Sequence, residues 1–223
     1  MDIFEKLIYI LGSLVCHQLP SRTLLAGDVL LPVCARDTGI YTGMFTTLVY
    51  LFFRKRSGSD KMPGIGHSIL LCILMLPMII DALTSYIGLR ETDNTIRLFT
   101  GVVFGAAFPF FLLPAANFKI YEKNTKPLLN KWHEIAVVQL CAVILGLIIL
   151  SGSLIHWAVI SAIIMITLIF VIGRIVYTVI KRIAVRGDTF IMMATLAATT
   201  VILMIMFLVS HFILQPLKEM LVL

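Results

Sequence analysis

Residues 155–177 read IHWAVISAIIMITLIFVIGRIVY, 23 positions with a single formal charge, Arg174. A helix rises 1.5 Å per residue and the hydrocarbon layer is about 30 Å thick, so roughly 20 such residues cross it. Working outward, apolar runs also occupy residues 4–15, 38–53, 68–89, 96–118, 135–150 and 190–214, separated by Pro, Gly or charged breaks. With 60% hydrophobic residues, 13% charged residues and a mean hydropathy of +1.02, the chain has too little polar surface to cover a water-soluble core. The expected fold is an all-α, polytopic transmembrane helical bundle of about seven helices, one integral-membrane domain over residues 1–223. The run at 4–15 is short for a span; if it lies in the interface, six crossings remain.

The apolar start resembles a signal peptide in outline, but Asp2 and Glu5 dilute its basic end and no small-residue cleavage site follows, so it is read as retained. The formal charge of +6 invites a nucleic-acid reading, yet the basic residues fall in short loops between apolar runs, where they report topology instead. No nucleic-acid partner is expected. With the N-terminus inside, the cytoplasmic set is Lys6; Arg54, Lys55, Arg56 and Lys61; Lys119, Lys123, Lys126 and Lys131; and Arg174, Lys181, Arg182 and Arg186, 13 of the 18 basic residues. Cytoplasmic loops carry the excess of Lys and Arg. The expectation is a multi-pass cell-membrane protein with a cytoplasmic N-terminus and an extracytoplasmic C-terminus.

Two small-xxx-small pairs, Gly39/Gly43 and Gly101/Gly105, suit close helix–helix approach. The chemistry concentrates elsewhere, at the outer ends of the first helices: Cys16-His17-Gln18-Leu19-Pro20-Ser21-Arg22, then Pro32-Val33-Cys34-Ala35-Arg36-Asp37-Thr38-Gly39-Ile40-Tyr41. Asp81 and Ser85, spaced i, i+4, share a helix face, as do Asn94, Arg97 and Gly101. Ionisable groups in a bilayer are costly unless paired or hydrated, which makes Asp81 and Arg97 a natural pair. It reads either as a structural ion pair or as part of a pocket in which Arg97, Arg22 and Arg36 grip a phosphate or carboxylate.

Cys16, His17, Cys34 and Asp37 are four candidate metal ligands, and Zn²⁺ accepts sulfur, nitrogen and oxygen in a tetrahedral array. Two or three protein ligands plus a carboxylate leave room for an activated water and a hydrolytic role. A Cys16–Cys34 disulfide or two free thiols explain the same residues on an oxidising face. His156 and His211 lie at a similar depth to His17 and read as interfacial side chains with a lesser claim to a ligand or proton-carrier role. Cys72 and Cys141 fall inside apolar runs as small core residues.

The blocks Cys16-His17-Gln18, Pro20, Arg22 and Pro32-Val33-Cys34-Ala35-Arg36, Thr38-Gly39-Ile40-Tyr41, Gly43 resemble the signature of a prokaryotic membrane-protein family catalogued as a domain of unknown function. Asp81, Ser85, Gly88, Asn94, Arg97 and Thr100-Gly101 resemble its second polar block. In that family the first string typically reads P-V-C-A-R-C-T-G-I-Y, and here Asp37 stands where it has a second cysteine. A carboxylate cannot close a disulfide, but it can replace sulfur on a metal at some cost in affinity for soft ions. The resemblance covers the first half of the chain and implies no particular activity.

The leading expectation is a membrane-embedded enzyme with an extracytoplasmic polar pocket, a metal-dependent hydrolase or transferase acting on a lipid-linked or amphiphilic substrate. Cys16, His17, Cys34 and Asp37 hold the metal, with Asp81, Arg97 and His17 as catalytic groups. Arg22, Arg36, Tyr41, Ser85 and Asn94 contact an anionic substrate drawn from membrane lipid. The rivals are a transporter or channel for protons or a small anion, and a non-catalytic accessory subunit stapled by Cys16–Cys34.

Overall fold

The apolar runs become helices in a computed structural model of the chain, which describes residues 3–119, 122–183 and 187–214. Among these residues five segments are long and apolar enough to cross a membrane: α3 (Ile65–Tyr86), a broken rod of α4 (Asn94–Ala107) and α5 (Pro109–Asn117), α6 (Trp132–Leu150), α7 (Trp157–Ile183), and α8 (Asp188–Val209) with a π turn at Ser210–Leu214. The rod breaks at Phe108 because Pro109 has no N–H to give to the preceding turn. Large apolar side chains on α3, among them Ile69, Ile73, Leu76, Ile80 and Leu83, remain about half exposed. A continuous apolar face of that kind is stable against lipid and not against water.

α2 (Ala35–Phe53) is a different helix. Its 19 residues rise about 28 Å, but Arg36, Asp37 and a series of threonines make it less apolar than the other five. It runs through the centre of the bundle, packed on α4, α6 and α7. Its contact with α4 is made of glycines. A Cβ on Gly39 would stand 2.1 Å from Leu98 O, on Gly43 2.4 Å from Val102 O, on Gly101 2.3 Å from Arg36 O and on Gly105 2.0 Å from Ile40 O. The two small-xxx-small pairs thus face each other, and each helix lays its glycines on the other's backbone. Thr47 Oγ1 donates to Ala106 O at 2.7 Å across the same seam. Around it Leu51, Leu71, Leu98, Val102, Phe110, Leu128, Ile135 and Val138 form the main buried core.

α1 (Ile3–Ser13) has 11 residues and extends about 16 Å, half the hydrocarbon thickness. It packs on a β-hairpin of β1 (Thr23–Ala26) and β2 (Val29–Cys34), a small element absent from the all-helical expectation. The hairpin turns at Gly27, whose φ of 63° is in the left-handed region that glycine enters at little cost. Gly27 N donates to Gly152 O at 2.6 Å, tying the hairpin to the α6–α7 turn. Ser210 Oγ donates to Ser13 O at 2.6 Å, so the end of α8 reaches this same face. At the opposite face, Glu134 receives Arg56, and Asn117 Nδ2 donates to Ser57 O and Ser59 O at 2.9 and 3.0 Å. Among the described residues, six helical rods from α2 to α8 join the two faces, the five apolar ones and α2 between them, and the short first helix does not.

Replacing Gly39 or Gly101 by alanine is expected to cost about 3 kcal/mol or more, because a rigid backbone blocks each Cβ. Gly173→Ala, where nothing lies within 4 Å, should stay within about 0.5 kcal/mol of the parent. Thermal melts of detergent-purified protein read the difference, and equal melting points for Gly39→Ala and Gly173→Ala would remove the glycine seam as the organising contact.

Candidate metal and anion site beside the hairpin

The loop between α1 and the hairpin is shaped by one side chain. Gln18 adopts a left-handed φ of 51°, and its Nε2 donates to Tyr9 O at 2.7 Å and Pro32 O at 2.8 Å. Those bonds clip the loop between α1 and β2. Gly12 makes the closure possible, since a Cβ there would stand 2.2 Å from Pro32 O. Tyr9 OH adds a hydrogen bond to Leu30 O. The buried Cys16 is thereby held under the end of β2.

Cys34 is the last residue of β2 and caps α2, and Asp37 lies in the first turn of that helix. A helix start favours a carboxylate because unpaired N–H groups and the helix dipole meet there. The C-x-x-D spacing is therefore the geometry of a helix cap, and it sets Cys34 Sγ 3.2 Å from Asp37 Oδ2. Cys34 N donates to Cys16 Sγ at 3.1 Å, and Gln18 N approaches the same sulfur at 3.5 Å. Ligand atoms of Cys16, Cys34 and Asp37 all lie within 4.8 Å of one another, a group of three potential donors. Cys16 and Cys34 are free thiols.

The two thiols are unequal. The Cys34 S–H proton has two acceptors, Asp37 Oδ2 and the Cys16 sulfur. Donation from Cys34, with the backbone N–H groups, lowers the Cys16 pKa below the ordinary thiol value. The same thiol–thiol bond, burial and the Asp37 charge raise that of Cys34.

A cleft of about 310 Å³ opens over this group. Cys16, His17, Arg22, Cys34, Arg36 and Asp37 supply its polar wall, and Met78, Ala82 and Tyr86 of α3 supply an apolar one. His17 sits exposed on the cleft and outside the three-donor group. Tyr41 packs behind the site with Leu31, Val33, Ile160 and Ile164. His156 and His211 do not join the donors either; His211 stacks on Phe207 and His156 lies near Trp157.

Asp81 pairs differently from the sequence expectation. Its Oδ2 accepts from Arg36 Nη2 and its Oδ1 from Arg90 Nη2, each at 2.6 Å, and the carboxylate is only 2% exposed. With both oxygens taken from two sides, Arg97 turns to Asn94 Oδ1 at 3.3 Å. Asn94 Nδ2 in turn donates to Ser21 O at 3.3 Å, tying α4 to the first loop. Ser85, half-buried one turn beyond Asp81, is not on the cleft wall. Of the expected site residues, the fold thus gathers Cys16, His17, Arg22, Cys34, Arg36 and Asp37 on one cleft, with Asp81 behind Arg36. Asn94, Arg97, Ser85 and Tyr41 stand apart from it. Sequence reasoning missed Gln18 and Arg90. Gln18 followed the Cys-His pair in plain view, but only its positive φ marks it as a clip.

A family model described as Predicted membrane protein (DUF2085) matches residues 16–111, a segment that begins at Cys16 and includes Asp81, Arg90 and Arg97. An uncharacterized protein of Methanocaldococcus jannaschii is 37% identical over 116 residues, 52% of this chain and 72% of that protein. An uncharacterized protein of Methanothermobacter thermautotrophicus is 36% identical over 92 residues, 41% of this chain and 78% of that one. No solved structure matches the chain.

Two measurements test this geometry. A lowered pKa populates the thiolate at lower pH, so alkylation followed by peptide mass spectrometry should begin at Cys16 at a lower pH than at Cys34, and Cys34→Ala should move the Cys16 midpoint upward. Cys34 reacting first would contradict the donor assignment. Asp81→Asn leaves two guanidiniums without their carboxylate and should cost about 3–5 kcal/mol, whereas Arg97→Gln should cost under about 1 kcal/mol; chemical denaturation in detergent compares them.

Proposed function

The chain belongs to the family described as Predicted membrane protein (DUF2085), and we propose that it is a membrane-embedded hydrolase or transferase with a metal site at the cysteine cleft. The observation that carries this reading is the convergence of Cys16, Cys34 and Asp37 beside two arginines on one cleft. Three donors of S, S and O type suit a divalent transition ion such as Zn²⁺. In a tetrahedral site with Zn–S bonds of 2.3 Å, neighbouring sulfurs stand about 3.8 Å apart, compatible with the 4.8 Å limit and with the 3.2 Å between Cys34 Sγ and Asp37 Oδ2. The two backbone N–H groups on Cys16 also favour its thiolate, the form that ligates. Such an ion, when bound, supplies Lewis acidity and a water acidic enough to react at neutral pH.

The chain's own residues do the rest. Arg22 and Arg36 bind the anionic part of a substrate, and Asp81 is a positioning residue that holds Arg36 in place. Met78, Ala82 and Tyr86 take its apolar part, which selects an amphiphilic or lipid-linked substrate over a fully soluble one. His17, exposed at the cleft, carries the proton to or from the leaving group. Asp81, with both oxygens bound, does not serve as base in this scheme. The cleft faces the non-cytoplasmic side, since Arg54, Lys55, Arg56, Lys61, Lys119, Lys123, Lys126 and Lys131 lie at the opposite face and, among the described residues, the smaller set Lys6, Arg22, Arg36, Arg90 and Arg97 on this one. With six crossings instead of seven, α1 and the end of α8 then share the outer side, which moves Lys6 and the N-terminal end from the expected cytoplasmic side to the outer one.

The closeness of two sulfurs favours a second reading, a non-catalytic subunit whose Cys16–Cys34 disulfide staples the loop. Elemental analysis with thiol titration separates the two. Purification without chelator should yield about one zinc or other transition metal per chain, lost in Cys16→Ala and retained in Asp37→Cys, which restores a thiolate to the C-x-x-C spacing. Metal-free protein with Cys16 and Cys34 oxidised would leave the staple standing and end the metal reading.

A further inference from the structure

Among the described residues Asp60, Asp81 and Glu134 are buried acids, each answered from within, Asp60 by Lys126 N–H at 2.8 Å, and half-buried Arg174 is a further charge drawn into the bundle. Asp81 has Arg36 and Arg90; Glu134, 2% exposed, has Arg56 Nη1 at 2.8 Å and the backbone N–H groups of Asn130 and Lys131. Arg174, within the apolar α7, has neither. Its Nη2 donates to the neutral amide Asn117 Oδ1 at 2.8 Å, and its Cζ stands 5.2 Å from the Tyr177 ring. Its Nε is buried without a hydrogen-bond partner among the described residues, and no described carboxylate lies within 4 Å of it. A guanidinium carries five N–H donors, so most of its capacity is unspent.

Arg174 lines one end of a groove of about 540 Å³ between α2, α5 and α7. The remainder is almost wholly apolar, with Phe45, Val49, Phe52, Leu113, Ile166 and Phe170 along its length. The positions from 45 to 53 on α2 and from 166 to 174 on α7 each advance about 12 Å along the bundle. The groove therefore runs from mid-bundle towards the face opposite the cysteine cleft, where Ser57 marks its mouth. Asn117 is itself fixed by Ser57 O and Ser59 O, so the arginine is anchored by the fold and does not hang freely in lipid.

We propose that this groove is a binding site for an anionic phospholipid of the surrounding bilayer, whose phosphate pairs with Arg174 and whose acyl chain lies along α2 and α7. An apolar slot ending in an uncompensated, pre-oriented guanidinium matches that ligand on both counts: hydrocarbon meets hydrocarbon, and the phosphate supplies the negative charge that no described carboxylate brings to Arg174. The surplus of lysine and arginine in the adjoining loops, Lys55 and Lys119 among them, adds attraction for a negative headgroup. This site is separate from the metal cleft and does not depend on it.

Native mass spectrometry of the full chain, titrated with phosphatidylglycerol and with phosphatidylcholine of the same acyl chains, tests the assignment. One lipid should be retained with about a fivefold preference for phosphatidylglycerol, the worth of one basic group near a headgroup. Arg174→Gln should abolish the preference, Arg174→Lys should keep most of it, and Ile166→Trp, which fills the groove from its exposed side, should weaken both lipids alike. A preference unchanged in Arg174→Gln, no preference in the parent, or displacement of the lipid by millimolar inorganic phosphate would each overturn the proposal. If Arg174→Gln does not fold, a photo-activatable phosphatidylglycerol on the unaltered protein decides: labelling must fall on residues 45–53 and 166–174, and labelling confined elsewhere refutes the site.

Discussion

Backbone-to-backbone contact between α2 and α4 is the constraint on which the rest of the molecule depends. In a bilayer, helices gain little from hiding apolar side chains, since lipid is as apolar as leucine, and packing distance decides association. Four glycines let the two backbones approach until any Cβ would meet a carbonyl oxygen at 2.0–2.4 Å. That approach allows a helix bearing Arg36, Asp37 and several threonines to run through the bundle's middle. Surrounded by neighbours, α2 keeps its polar groups off the lipid, and Thr42 Oγ1 and Thr47 Oγ1 return their protons to backbone carbonyls.

Charge follows from this placement. A helix start at one face delivers Arg36 to Asp81 of α3, and the same helix's end delivers the adjoining Arg56 to Glu134 of α6. Each pair braces α2 against a different neighbour, one at each face. Buried pairs are poor sources of net stability but severe penalties against any arrangement that separates them. They thus act on register: sliding α2 by a turn would strand two arginines and two carboxylates in a medium that solvates none of them.

Local chain geometry builds the cysteine site on this frame. Gln18 clips the loop, Cys34 caps α2, and Asp37 occupies its first turn, so three donor groups from two separated segments converge. The cap explains why cysteine and carboxylate are three residues apart, and the hairpin explains why Cys16 meets them at all. Donation from the Cys34 thiol, with backbone N–H groups directed at the same sulfur, lowers the Cys16 pKa below the ordinary thiol value.

Much of this was legible beforehand. Apolar run lengths set the number and type of the long helices, because hydrocarbon thickness translates directly into residue count. The glycine pairs announced a close seam, and the two cysteine blocks announced a common site. Partners across space were not legible. Asp81 and Arg97 formed the natural couple on a helix-by-helix reading, yet the carboxylate belongs to Arg36 and Arg90, since only the folded bundle decides which guanidinium arrives first at a buried acid. The hairpin escaped notice for its brevity, and the shortness of α1, half a bilayer, became decisive only once its packing against β2 was seen. Composition and periodicity are properties of a chain in its solvent and can be read along one dimension; pairing, convergence and the uncompensated charge of Arg174 depend on distances between segments far apart in sequence, which tertiary packing alone sets.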